Sequence, residues 1–156
     1  MLRSKDVLFQ RTGVSRLMSV LAAPGGVQLV AAAVENNGAA DALVRIVSNA
    51  SVPVGRKKWW WFTHARVPTR VPSLGADPGA DTAVVSRREV RVACAGDAAN
   101  ALRKMAAEPA IATAMRSRGS GLAASLLAAS RDEGLDRNVR DTMGEAHALL
   151  IAGEGK

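Results

Sequence analysis

The ten residues 98–107, AANALRKMAA, constrain this chain most, because alanines and larger apolar residues recur there at the three- and four-residue spacing of one helix face. The outline returns around Leu17, Leu43, Leu102 and Leu149, and the first three have an apolar residue three places on: Val20, Ile46 and Met105. Ala42, Ala101 and Ala148 stand directly before the last three leucines. A small residue beside a large one lets a second helix approach closely while the gap is still filled. The fold class expected from this pattern is all-α, made of short, closely stacked helices.

Composition points the same way. Alanine is the strongest helix former and a poor strand former, and a chain with no Tyr, three Trp and two Phe must build its core from aliphatic groups. With 48% apolar and 22% charged residues, disorder throughout is excluded, and 156 residues suit one domain with its own core. Residues 1–156 therefore read as a single helical domain, with a first half over 12–50, an insertion over 51–80, a second half over 81–152 and a short tail over 153–156.

Punctuation sets the expected helices. The first starts at Thr12, turns Val14, Leu17, Val20 and Leu21 to one face, and ends at Pro24-Gly25-Gly26. A second covers 27–34 before Asn36-Asn37-Gly38, and a third covers 39–50. After the insertion, helix resumes near Asp81. Val90, Val92 and Cys94 alternate as a strand would, but their flanks favour helix. Asp97 is the expected N-cap of a separate helix over 98–108, and Pro109 suits the first turn of the next, running to Arg118. Gly119 to Gly121 form a break, 122–130 another helix, and Asp136 caps a last one ending near Ala152.

The insertion differs from everything around it. It holds four of the six prolines and four of the five aromatics. Arg56, Lys57, Lys58, Arg66 and Arg70 stand there with no acid over 51–76, so most of the net +7 is local to it. Prolines so spaced do not sit inside continuous helix. Trp59, Trp60, Trp61 and Phe62 are consecutive, and neither a strand nor a helix hides four such rings on one side. One reading plugs two or three rings into the groove between the helical halves. A second makes Arg56, Lys57, Lys58, Trp59, Trp60, Trp61, Phe62, Arg66 and Arg70 a binding surface for an acidic protein, since exposed Trp beside Arg is typical of interface hot spots. A third stacks the rings on RNA bases with the cations on phosphates, and a fourth lays the cluster on a membrane surface.

The second half resembles armadillo or HEAT-type repeats. The stretch EPAIATAMRSRGSGLAASLLAASRDEGLDRNVRDTMGEAHALL carries the resemblance: short helix, Gly turn, apolar helix, acidic loop, long helix. Leu102 to Leu149 is 47 residues, near one repeat of about 40–47. The likeness covers 94–152 well and 14–50 loosely, where Gly26-Val27-Gln28-Leu29 parallels Gly121-Leu122-Ala123-Ala124. It implies a short α-solenoid that binds proteins without catalysis, a scaffold or structural subunit with apolar strips exposed at its two ends. An RNA-associated component of a ribonucleoprotein, such as an organellar ribosome, is the alternative.

Other constellations carry less. Gly119-Ser120-Gly121-Leu122-Ala123-Ala124 fits a dinucleotide fingerprint in letters only, for no strand precedes it, and Arg116 and Arg118 beside it suit at most a stray anion. His64 and His147 lack metal-ligand spacing, and Cys94 has no base assigned to it, so no enzyme chemistry, cofactor or metal is expected. Asp132, Glu133, Asp136 and Asp141 interleave with Arg131, Arg137 and Arg140 as a solvated face does. No apolar run is long enough to span a bilayer. A lone cysteine suits a reducing compartment, so the expected location is the cytoplasm, with cytoskeletal association in keeping with the basic insertion. The basic first 20 residues weakly resemble a mitochondrial targeting peptide, which is the alternative.

Overall fold

Helix α1, Val7–Ala22, starts where the Asp6 carboxylate accepts a hydrogen bond from Leu8 N at 2.9 Å. That is five residues before the Thr12 start expected from the apolar face alone. The computed structural model describes residue 2, residues 6–51 and residues 78–153, with 78–88 and 120 as backbone only. Among the described residues all regular structure is helical: α1, α2 Gly26–Asn37, α3 Ala39–Ser48, α4 Pro78–Ala107, α5 Pro109–Ser117, α6 Ser120–Ser130 and α7 Arg137–Ala152.

Local signals end most of these helices where the sequence places them. Gly38 (φ 61°) closes α2 and opens α3, and Gly119 (φ 92°) opens α6, both in backbone conformations that a β-carbon disfavours. Pro109 occupies the first turn of α5. Asp136 caps α7 through Asn138 N at 2.9 Å.

Helix α4 departs from expectation. It runs unbroken for 30 residues, about 45 Å at 1.5 Å per residue. Asp97 lies in its interior and caps nothing. The reason is the buried stripe: Cys94, Ala98, Leu102 and Met105, flanked by Ala95, Ala99 and Ala106, continue through Asp97 in one register. A cap contributes about 1 kcal/mol, less than burying that stripe against several neighbours. The alternation at Val90, Val92 and Cys94 resolves the same way, with Val90 half-buried, Val92 exposed and Cys94 buried, a helical phase.

Helix α4 is also the centre of packing, touching α1, α3, α5 and α7. The other contacts have a regular order. Among the described helices, those three apart in order lie together: α1 with α4, α4 with α7, α2 with α5, and α3 with α6. Successive described helices join at α1–α2, α3–α4, α4–α5 and α6–α7, among others. The helix entered from Gly119 lies beside α3, the helix that Gly38 opens.

The core is one aliphatic cluster with Leu43, Leu102, Met105, Ile111, Met115, Leu126, Met143 and Leu150 fully enclosed. Leu43 and Leu102 are the anchors expected of them, and Leu17 is half-buried. Leu149 is not an anchor. It is 40% exposed, because α7 turns Val139, Met143, Ala146 and Leu150 inward, a face that leaves Ala148 and Leu149 outside.

Candidate partner-binding groove

The nine residues proposed from sequence as a binding surface, Arg56, Lys57, Lys58, Trp59, Trp60, Trp61, Phe62, Arg66 and Arg70, lie outside the described residues, as does His64. What the described residues form instead is a groove of about 850 Å³ along α3. Its floor is aliphatic, with Ala42, Ile46 and Ala50 of α3 and its C-terminal turn, Val7 of α1, and Leu122 of α6. Polar groups supply more of its exposed lining than apolar ones, among them Gln10 of α1, Asp41, Arg45 and Asn49 on or just beyond α3, and Arg91 of α4.

The groove arises from the phase of α3. Seven of its ten residues are buried, and the remaining face carries Asp41, Arg45 and Ser48. Asp41 and Arg45, four residues apart, must lie on one side of the helix. This was legible in the sequence. Arg91 joins them only because α4 packs on α3, and no local pattern announces that.

The charges at the margin are used unequally. Arg118, between α5 and α6, places Nε 3.1 Å from Asp41 Oδ2 while Nη1 donates to Glu35 O at 2.8 Å and Val34 O at 3.3 Å. Arg116 does similar work at the far end of the chain, donating from Nη1 to Leu150 O at 3.0 Å and from Nη2 to Thr113 Oγ1 at 3.3 Å. Both arginines thus meet the negative C-terminal end of another helix, α2 for Arg118 and α7 for Arg116. They are structural clamps, and the stray anion suggested by their position in the sequence is replaced by backbone carbonyls. Arg45 and Arg91, in contrast, form no ion pair and no side-chain hydrogen bond among the described residues.

Comparison of the chain with protein-family models, curated proteins and solved structures gives no match. The groove must therefore be judged on its own chemistry. Among the described residues no three of His, Cys, Asp and Glu come together to hold a metal, and no helix is long and apolar enough to cross a membrane. Cys94 lies at the groove wall but is buried, and burial raises its thiol pKa above the ordinary 9.0, with Asp97 adding to the rise and Arg11 opposing it. A protonated, enclosed thiol is a poor nucleophile.

The acidic cluster near the last loop is occupied with local tasks. Asp132 accepts from Gly134 N at 2.8 Å, Asp136 caps α7, and Asp141 lies 3.7 Å from Arg137. Helix pairs are bridged at the surface by Arg11–Asp97 at 3.6 Å and Arg103–Glu145 at 3.1 Å. Such exposed pairs contribute about 0–1 kcal/mol each. They set register more than stability.

Proposed function

We propose that this protein is a non-enzymatic interaction scaffold, a structural subunit of a larger assembly, whose body is a short armadillo- or HEAT-like stack and whose basic insertion contacts an acidic protein partner. The observation that carries the reading is the pairing of helices three apart in order among the described ones. In a stack of three-helix units each helix lies beside its counterpart in the next unit. On that reading α1–α3 and α4–α6 are two units and α7 begins a third.

The exposed apolar groups favour a subunit over a free-standing domain. Leu8, Phe9 and Val20 of α1 and Leu29 of α2 are exposed in the first unit, and Leu149 and Ile151 of α7 in the last. The ends of a stack are where capping is needed, and partner subunits supply it. A buried, unpaired Cys94 fits a reducing compartment, such as a cytoplasm with cytoskeletal polymers as acidic neighbours.

The test uses the full-length chain beside a variant with Arg56, Lys57, Lys58, Arg66 and Arg70 all replaced by glutamine. Affinity purification is expected to recover partner proteins with the first and lose them with the second. Equal recovery refutes the role given to the insertion. A salt titration against generic RNA runs in parallel, and steep salt-dependent binding abolished in the variant transfers the role to a ribonucleoprotein component.

A further inference from the structure

We propose that the groove along α3 is a second binding site, separate from the basic insertion, which takes an acidic peptide segment in extended form, with Arg45 and Arg91 pairing its carboxylates and the aliphatic floor receiving its apolar side chains. Three observations converge on it. The groove's volume of about 850 Å³ lies high in the range of about 300–1,000 Å³ found for ligand clefts, and is far more than a single small anion fills. Its margin carries two guanidinium groups without counter-charges among the described residues, while the neighbouring pair Arg118–Asp41 is internally neutral. Its lining also includes the nearly buried aliphatic side chains of Ala42, Ile46 and Leu122.

Charge and floor together select the occupant. A guanidinium presents its donors in a planar fork that matches a carboxylate, so two of them at the margin call for acids spaced along a chain. The protein's own segment 51–76 carries five bases and no acid, the wrong sign for this margin. Nucleic acid would also meet the charge, but recognition of single strands relies on aromatic faces for base stacking, and none of the described residues that line the groove is aromatic. An aliphatic floor suits leucine or alanine side chains alternating with acids.

The test is fluorescence anisotropy at physiological ionic strength with a labelled short peptide of alternating glutamate and leucine, on the full-length protein. Arg45 and Arg91 are exposed and form no ion pair among the described residues, so the double variant R45E/R91E keeps the fold, which circular dichroism verifies. Binding is expected to be saturable and at least about tenfold weaker in R45E/R91E. It is expected to be unchanged in R131E, an exposed control away from the groove, and in the insertion variant with five glutamines. No saturable binding, or equal binding by R45E/R91E, overturns the proposal. Binding lost in the glutamine variant alone assigns the peptide to the insertion, and single-stranded RNA binding that depends on Arg45 and Arg91 while the peptide fails assigns the groove to nucleic acid; either outcome overturns the proposal too.

Discussion

Arg118 joins Asp41 at 3.1 Å and Glu35 O at 2.8 Å, so one side chain fastens the α5–α6 corner to the corner where α2 turns into α3. The bonds from Arg118 to Asp41, Glu35 O and Val34 O span 77, 83 and 84 residues of chain. Gly38 and Gly119 in these corners open α3 and α6, which lie side by side. The clamp therefore ties the two turns together at the edge of the groove.

Truncating that side chain tests the clamp. Arg118→Ala is expected to lower stability by about 1–2 kcal/mol, since a charge-assisted bond to each carbonyl is lost on a partly exposed side chain. Asp41→Asn leaves the carbonyl bonds in place and is expected to cost less than about 1 kcal/mol. Urea denaturation of both variants checks the order, and an equal loss in the two means that the carbonyl bonds contribute nothing.

Two glycines should respond to alanine with opposite signs. A β-carbon at Gly26 would meet Val20 O at 1.7 Å, a backbone atom that moves only if α1 and α2 separate. A loss of about 3 kcal/mol or more is expected for Gly26→Ala. At Gly96 nothing lies within 4 Å, and the residue is inside α4. Gly96→Ala should stabilise by about 0.5–1 kcal/mol, and thermal unfolding of the pair shows whether it does.

The repeated leucine positions are not equivalent in the fold. Leu102 is fully enclosed at the centre of α4, so Leu102→Ala is expected to cost about 2–5 kcal/mol. Leu149, 40% exposed, should cost well under half of that, whereas Leu150→Ala should approach the Leu102 value. Similar losses at Leu149 and Leu150 would place α7 in a different rotation from the one described.

Cys94 makes stability fall at alkaline pH. Its thiol pKa is raised in the folded state, first by burial and then by Asp97. Below the ordinary 9.0 both folded and unfolded chains hold the proton, and the preference for the neutral thiol is fully expressed. Above it the unfolded chain releases its proton first, so unfolding gains as pH rises through that window. Stability measured between about pH 8 and 10.5 should decline more steeply for the native chain than for Cys94→Ala, in which this titration is absent. Parallel slopes would show that the thiol is not enclosed in solution.

What the sequence determined by itself is local. The three-four spacing around Leu43 and Leu102 specifies helix, and Gly38, Pro109, Gly119 and Asp136 mark ends because φ, a missing N–H or a capping carboxylate acts within one turn of chain. Asp97 has the same chemistry as Asp136 and yet caps nothing. Whether a helix stops there depends on whether the apolar stripe on either side finds continuous cover, and α1, α3, α5 and α7 give α4 that cover together. Leu149 lost its expected place to Leu150 for a related reason, since the rotation of α7 follows the face that fits α4 and α6. The groove was half visible: α3 had to present Asp41 and Arg45 on one side, but the arrival of Arg91 and the diversion of Arg118 onto Asp41 required the helices to be packed. Backbone hydrogen bonds close over four residues and can be anticipated from them, whereas burial is shared among segments far apart in the chain and is settled only when all of them are in place.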